Sequence, residues 1–251
     1  MKIAVAGGTG TVGRHVVSAA RSRGHDVVVL ARAEGVDVIT GAGLRTALAG
    51  VDAVIDTTNL TTMSARRSRE FFETATRTLL KAGEEAGVGH HIALSIVGID
   101  DLDASYYAGK LAQERAVAAG RVPYSIARTG QFHEFAEQLL STMRGPVVLV
   151  PRTLLRSVSA REAGGHLVDV AEAGPVGRAV DFVGPEDERL ADLVRRMLAH
   201  DGSRRRAVEL GLPGLYGRGL ASGALRGTPP RLEGETTFDD WLNSEDHRPV
   251  G

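Results

Sequence analysis

Short apolar runs alternate with segments of helical spacing over the first 130 residues. Runs rich in β-branched residues predict strands over 2–6, 26–31, 36–39, 52–57, 91–97 and 123–128. Between them, helical periodicity predicts helices over 11–23, 43–49, 66–86 and 105–119. The strands are apolar almost throughout, as in Val27-Val28-Val29-Leu30. Such runs suit strands covered on both faces, the condition of a parallel sheet. Strand–helix–strand alternation therefore predicts a doubly wound α/β fold. In the first helix Val12, Val16 and Ala20 fall at i, i+4 and i+8 and define one face. Phe71, Ala75, Leu79 and Leu80 make the apolar stripe of helix 66–86, and Gly24 and Gly87 supply helix stops.

Beyond residue 130 the alternation loosens. The pattern predicts a helix over 131–143, a strand over 147–150, helices over 160–173 and 187–200, and a strand over 178–183. The glycine-rich stretch Gly211–Gly227 reads as loop with one short helix. A terminal helix over 237–243 carries Trp241. Arg204-Arg205-Arg206 reads as a solvated surface run.

Composition narrows the chemistry. The 251 residues include no cysteine, which excludes disulfides, thiolate zinc sites and iron–sulfur clusters. A formal charge of −1 offers no footprint for nucleic acid. No apolar run approaches the ~18 residues of a membrane span, and Met1 leads at once into a strand, so a cytoplasmic location is expected. The eight histidines show no H-E-x-x-H spacing, and no metal site is expected. There is also no G-x-S-x-G elbow for a hydrolase. Glycine, 31 residues in all, is enriched over its usual share of about 7%.

Part of that glycine stands where a strand gives way to a helix, in Gly7-Gly8-Thr9-Gly10-Thr11-Val12-Gly13. Gly7 allows the tight turn, Gly10 lets a pyrophosphate approach the backbone, and Gly13 lets the helix pack close to the sheet. Free amides at the helix start then hold phosphate. The second strand ends Val29-Leu30-Ala31-Arg32. Ala31 cannot accept a ribose hydroxyl as an acidic residue would, whereas Arg32 can pair with a 2′-phosphate and Arg14 can add a second charge. NADP(H) is therefore expected in preference to NAD(H), although Glu34 lies close enough to oppose Arg32.

Tyr106 and Lys110 stand at i and i+4 at the start of helix 105–119 and share a face. An ammonium there would favour the phenolate and lower the tyrosine pKa, preparing Tyr106 for proton transfer while hydride moves to or from nicotinamide. Ser95, at a strand end, is the candidate to orient the substrate oxygen, with Ser105 in reserve. Lys110 could instead pair with Glu114. His133 and Glu134 read as a surface helix start.

The glycine turn, Arg32, Leu94-Ser95-Ile96-Val97-Gly98, Tyr106-x-x-x-Lys110 and Val122-Pro123-Tyr124-Ser125-Ile126-Ala127-Arg128-Thr129-Gly130-Gln131-Phe132 together resemble the short-chain dehydrogenase/reductase superfamily. The sequence is most similar to its atypical, NmrA-like NAD(P)H-binding branch. That resemblance implies a Rossmann doubly wound parallel sheet with a small C-terminal substrate lobe: one domain over 1–251, with a dinucleotide-binding core over 1–135 and core completion plus lobe over 136–251. It implies Ser-Tyr-Lys roles for Ser95, Tyr106 and Lys110. Cofactor contacts fall by the same resemblance on Gly7, Thr9, Gly10, Thr11, Val12, Gly13, Arg32, Thr57, Asn59 and Lys110. Thr129-Gly130 replaces the usual Pro-Gly, and Gly130 is then a cofactor contact, with Gln131 and Phe132 toward substrate. The expected function is an NADP(H)-dependent oxidoreductase acting on a small carbonyl, quinone or enone. The branch also contains non-catalytic redox sensors, and an isomerase or epimerase using the cofactor transiently is a third reading. Partners are a small-molecule substrate and a candidate homodimer through helices 66–86 and 105–119, with no membrane.

Overall fold

A computed structural model describes residues 1–249. In chain order the elements begin β1 (Lys2–Ala6), α1 (Gly13–Ser22), β2 (Asp26–Leu30), α2 (Leu44–Ala47), β3 (Ala53–Asp56), α3 (Ala65–Ala86), β4 (His90–Ile96), α4 (Ser105–Ala118) and β5 (Tyr124–Thr129). They continue with α5 (Glu134–Thr142), β6 (Val147–Pro151), β7 (Leu154–Leu155), α6 (Ala160–Ala173), β8 (Gly177–Arg178), β9 (Asp181–Val183), β10 (Glu188–Arg189), α7 (Leu190–His200), β11 (Arg206–Leu210), α8 (Gly214–Ala221), β12 (Arg231–Glu233) and α9 (Phe238–Leu242). The chain divides into two units. The first comprises Met1–Ser95, Asp103–Arg128 and Ala163–Val180, the second Ile96–Leu102, Thr129–Glu162 and Asp181–Gly251.

The first unit is a Rossmann-like α/β sheet flanked by helices. Its strands run in the order β2-β1-β3-β4-β5, with β8 beside β5. The β1–β2, β1–β3, β3–β4 and β5–β8 pairings are parallel. Ile3, Ala4, Val5, Ala53, Ile55, Ile92 and Ala93 are fully buried, as continuous apolar strands in a covered parallel sheet should be. Strand order reverses between β1 and β3. In doubly wound sheets the ligand crevice opens at the carboxyl ends of the strands at that point.

The expected strand over 36–39 does not form. Gly35, Gly41 and Gly43 all take positive φ, and the Asp37 side chain accepts the amide of Ile39 at 2.7 Å. Asp37 also exchanges backbone bonds with Gly41 and Ala42, so the segment closes as a turn. Local glycine and Asx chemistry outcompetes the β-branched Val36, Val38 and Ile39. Helix 43–49 shortens to the four residues of α2.

In the second unit β9 and β12 pair in parallel, and Thr129 at the end of β5 pairs with Phe182. The expected strand 178–183 is interrupted, its two ends forming β8 and β9. β11 was not anticipated; it pairs in parallel with β6. The triple arginine that leads into it, with Arg206 its first residue, is not simply solvated. Arg205 donates to the carbonyls of Leu140, Met143 and Gly145 and closes the C-terminal end of α5. Among the described residues no helix is long and apolar enough to cross a membrane.

Candidate functional site

β1 delivers the glycine turn to the reversal point of the first unit. Gly7 adopts φ +74°, and a Cβ there would lie 2.9 Å from the Thr57 carbonyl oxygen. At Gly13 a Cβ would fall 2.1 Å from the Gly7 oxygen, so only glycine lets α1 start this close. Gly10 donates to the Gly7 carbonyl at 2.9 Å and closes the loop. Val12 precedes α1 and offers no side-chain cap. Among the described residues the amides of Thr9, Thr11, Val12 and Gly13 have no acceptor. Uncapped amides at the positive end of a ten-residue helix are the donor set a pyrophosphate requires. The β3 end borders the turn, where Thr57 donates both its amide (2.9 Å) and its hydroxyl (2.7 Å) to the Ala6 carbonyl. Arg32 follows β2 and is exposed; its carbonyl accepts the Gly35 amide at 3.1 Å, and its guanidinium has no ion pair or hydrogen bond among the described residues. Arg14 Nε donates to His15 Nε2 at 3.1 Å.

α4 carries the second group of residues and is buried on most of its surface. Gly109 permits its close approach to α3, since a Cβ there would sit 2.1 Å from Ser68 Oγ. Ser68 Oγ in turn donates to the Tyr106 carbonyl at 2.8 Å. Ser105, the first residue of α4, holds φ +52°. That conformation is strained for a residue with a Cβ, and such strain gathers at functional sites.

The Tyr106 hydroxyl donates to Asn59 Oδ1 at 2.8 Å. Contrary to expectation, Lys110 does not lower its pKa; burial pushes the phenol upward. The reason is where the ammonium points. Lys110 Nζ donates to Gln113 Oε1 and lies 4.5 Å over the Phe72 ring. Gln113 Nε2 passes the link on to Asp56 Oδ2 at 2.8 Å, and Asp56 is fully buried at the end of β3. Burial lowers Lys110 to about 8, opposed by the Asp56 and Glu114 charges. At neutral pH the site therefore holds a protonated phenol and a buried ammonium.

Ser95 is not brought to Tyr106 by hydrogen bonding. Its Oγ donates to Glu114 Oε1 at 2.5 Å. Arg128 clamps the same carboxylate with Nε and Nη2, both at 2.7 Å. Sequence reasoning missed Asp56, Gln113 and Arg128 as partners. The legible signals were an acid ending an apolar strand and the i, i+3 spacing of Lys110 and Gln113.

Gly130, Gln131 and Phe132 lie in the second unit. Gly130 donates to the Phe182 carbonyl at 2.8 Å, and a Cβ there would lie 2.2 Å from the Arg156 oxygen. Phe132 bridges to Val158. His133 and Glu134 are buried, not a surface helix start. His133 bonds Ser157 Oγ at 3.0 Å and the Thr236 carbonyl at 3.2 Å, and burial lowers it to about 4. Glu134 Oε1 and Oε2 have no hydrogen-bond partner, and burial raises the carboxyl to about 7.

The raised Glu134 value predicts a pH dependence of stability. In the unfolded chain the carboxyl ionises near 4.5, while the folded protein keeps the proton to about 7. The group thus costs nothing below the unfolded value and costs stability as pH rises through the folded one, up to roughly 3 kcal/mol. Glu134→Gln stays neutral and is expected to flatten the stability curve between about pH 5 and pH 8. Urea unfolding at both ends of that range checks it. An unchanged difference between variant and wild type would contradict it.

Residues 7–147 match the NAD(P)H-binding family. No curated protein is detectably similar to the chain in sequence. Among solved structures, an Escherichia coli NADPH-dependent quinone oxidoreductase complexed with NADPH is 19% identical, with TM-score 0.71, covering 96% of this chain and 98% of that one. The Citrobacter sp. triphenylmethane reductase complexed with NADP(H) is 17% identical, with TM-score 0.67, covering 91% and 92%. MoeE5 in complex with UDP-glucuronic acid and NAD is 17% identical, with TM-score 0.73, covering 98% of each chain. At these identities the shared property is the fold. With the matched span running from the glycine turn through α4 and β5, the chain belongs to the NAD(P)H-binding family.

Proposed function

We propose that the chain is an NADP(H)-dependent oxidoreductase that moves hydride between nicotinamide and a small carbonyl, quinone or enone. The observation that carries this reading is a hydrogen-bonded, protonated phenol one helical turn from a buried ammonium, in the unit that holds the glycine turn. The unpaired amides of Thr9, Thr11, Val12 and Gly13 fit a pyrophosphate, and the cradle has no room for a side chain at Gly7 or Gly13. Thr57, just after β3, borders that cradle, and Asn59 two residues on accepts the Tyr106 hydroxyl. When bound, nicotinamide supplies or accepts the hydride. Tyr106 Oη delivers the accompanying proton to the substrate oxygen, and Lys110, linked through Gln113 to Asp56, keeps a buried positive charge one helical turn away. Ser95 is held by the carboxylate that it shares with Arg128 and takes no direct part in the proton transfer.

Preference for NADP(H) rests on Arg32, an uncommitted cation where an acidic ribose ligand would otherwise stand, with Arg14 as support. Arg32→Ala is expected to weaken NADPH binding about tenfold and to leave NADH binding unchanged, the value of one charge-assisted contact. Titration of both nucleotides measures it, and equal losses for the two would remove Arg32 from cofactor choice. The function is tested by following nicotinamide absorbance with a panel of quinones, enones and carbonyls. Acceptor-dependent NADPH consumption is expected. Tight binding with no consumption would identify a sensor, and substrate conversion without net consumption an epimerase.

A further inference from the structure

Away from the nucleotide turn, the second unit gathers His200, Asp201 and His247. We propose that these three side chains form a site for a divalent transition metal, with zinc(II) the best-fitting ion. His200 ends α7 and Asp201 follows it, while His247 arrives from the segment after α9. His200 Nδ1 lies 3.1 Å from Asp201 Oδ1, and His247 Nε2 lies 2.8 Å from the same oxygen. All three donor atoms fall within 4.8 Å of one another.

Two arrangements satisfy the surroundings of His247: an imidazolium that donates on both sides, or a neutral imidazole with a cation bound on one side. Glu137 Oε1 stands 2.8 Å from His247 Nδ1, so carboxylate oxygens face both ring nitrogens. A neutral imidazole has one N–H and can satisfy only one of them. With Nδ1–H donated to Glu137, the Nε2 lone pair points at an anionic oxygen unless a positive charge lies between. A second imidazole nitrogen, from His200, converges on that same oxygen, and two imidazoles with one carboxylate are a donor set suited to zinc. The Glu137 contact is the hydrogen bond that orients metal-binding histidines. Zinc bonds of about 2.0–2.2 Å place tetrahedral donors about 3.3 Å apart, so the two nitrogen–oxygen spacings of 3.1 and 2.8 Å need to open by about half an ångström or less, and the two nitrogens already lie within 4.8 Å of each other. The site is also built. Asp201 and His247 side chains are each 2% exposed, the His247 ring lies 5.0 Å from Trp241, and the Arg248 amide donates to Glu137 Oε1 at 2.9 Å. His200 is 35% exposed and leaves one side open for water as a fourth ligand.

Calorimetric titration of the tag-free, full-length protein with zinc(II) tests the proposal. About one equivalent is expected to bind, with a Kd on the order of 1 μM or tighter. Cobalt(II) is expected to give visible d–d bands and to quench Trp241, the single tryptophan of the chain. His200→Ala and His247→Ala are each expected to weaken binding about 100-fold, and Glu137→Gln about 10-fold. His200→Ala alters a partly exposed side chain, and its far-UV spectrum checks that the fold survives. Absence of stoichiometric uptake, or uptake equal in wild type and His200→Ala, would overturn the site. Either result would assign the cluster to an imidazolium held between two carboxylates.

Discussion

Tyr106→Phe is expected to lower kcat/KM by about 100-fold or more while leaving the Kd for NADPH unchanged. The two halves of this expectation have separate physical grounds. The ring packs edge-on against Phe72 at 5.7 Å and Tyr107 at 6.0 Å, and Phe retains those contacts. What disappears is one hydroxyl, donating to Asn59 and kept protonated by burial. The phenol is protonated across the physiological range, so it holds the proton that carbonyl or quinone reduction consumes. Parallel measurement of steady-state rates and nucleotide affinity checks both halves. Full activity in the variant would remove Tyr106 from the chemistry.

Arg128→Met is expected to cost about 3–5 kcal/mol of stability, the usual effect of stranding one partner of a buried ion pair. Arg128 is 2% exposed and Glu114 11%, so little water reaches the carboxylate once the guanidinium is gone. Ser95 alone, one hydroxyl, cannot replace it. Removing both charges in Arg128→Met/Glu114→Leu is expected to recover part of the loss, because the Glu114 carboxylate is then not left stranded. Urea unfolding of the single and double variants decides the matter. A single-variant loss below about 1 kcal/mol would mean that the pair behaves as a solvated surface bridge. The same geometry predicts that Ser95→Ala is mild, about 1 kcal/mol, with turnover little changed.

Much of the first unit was legible because its signals are local. Continuous apolar runs marked β1 through β5, and the glycines marked the turn between β1 and α1 before any geometry was known. The strand assigned to 36–39 failed for an equally local reason, three left-handed glycines and an Asx bond that closed the segment on itself. What the sequence could not display was long-range pairing. The i, i+4 spacing put Tyr106 and Lys110 on one helix face, yet the ammonium turns to Gln113 and the phenol to Asn59. Those choices depend on Asp56 and Phe72, which come from distant elements. β11 escaped notice because its half-exposed alternation, Arg206 to Leu210, makes sense only beside β6. His133 and Glu134, polar and next to a strand end, resembled a surface start, and only tertiary packing buries them.

Hydride transfer from the nicotinamide is the central claim, and isotopic labelling reaches it most directly. NADPH deuterated at C4 is incubated with the protein and an accepted carbonyl or enone, whose new carbon–deuterium bond does not exchange with water, and the product is examined by mass spectrometry. Deuterium transferred from one face of the nicotinamide into the product is the predicted result. Bound nucleotide that keeps its label, with every acceptor unreduced, would contradict the account.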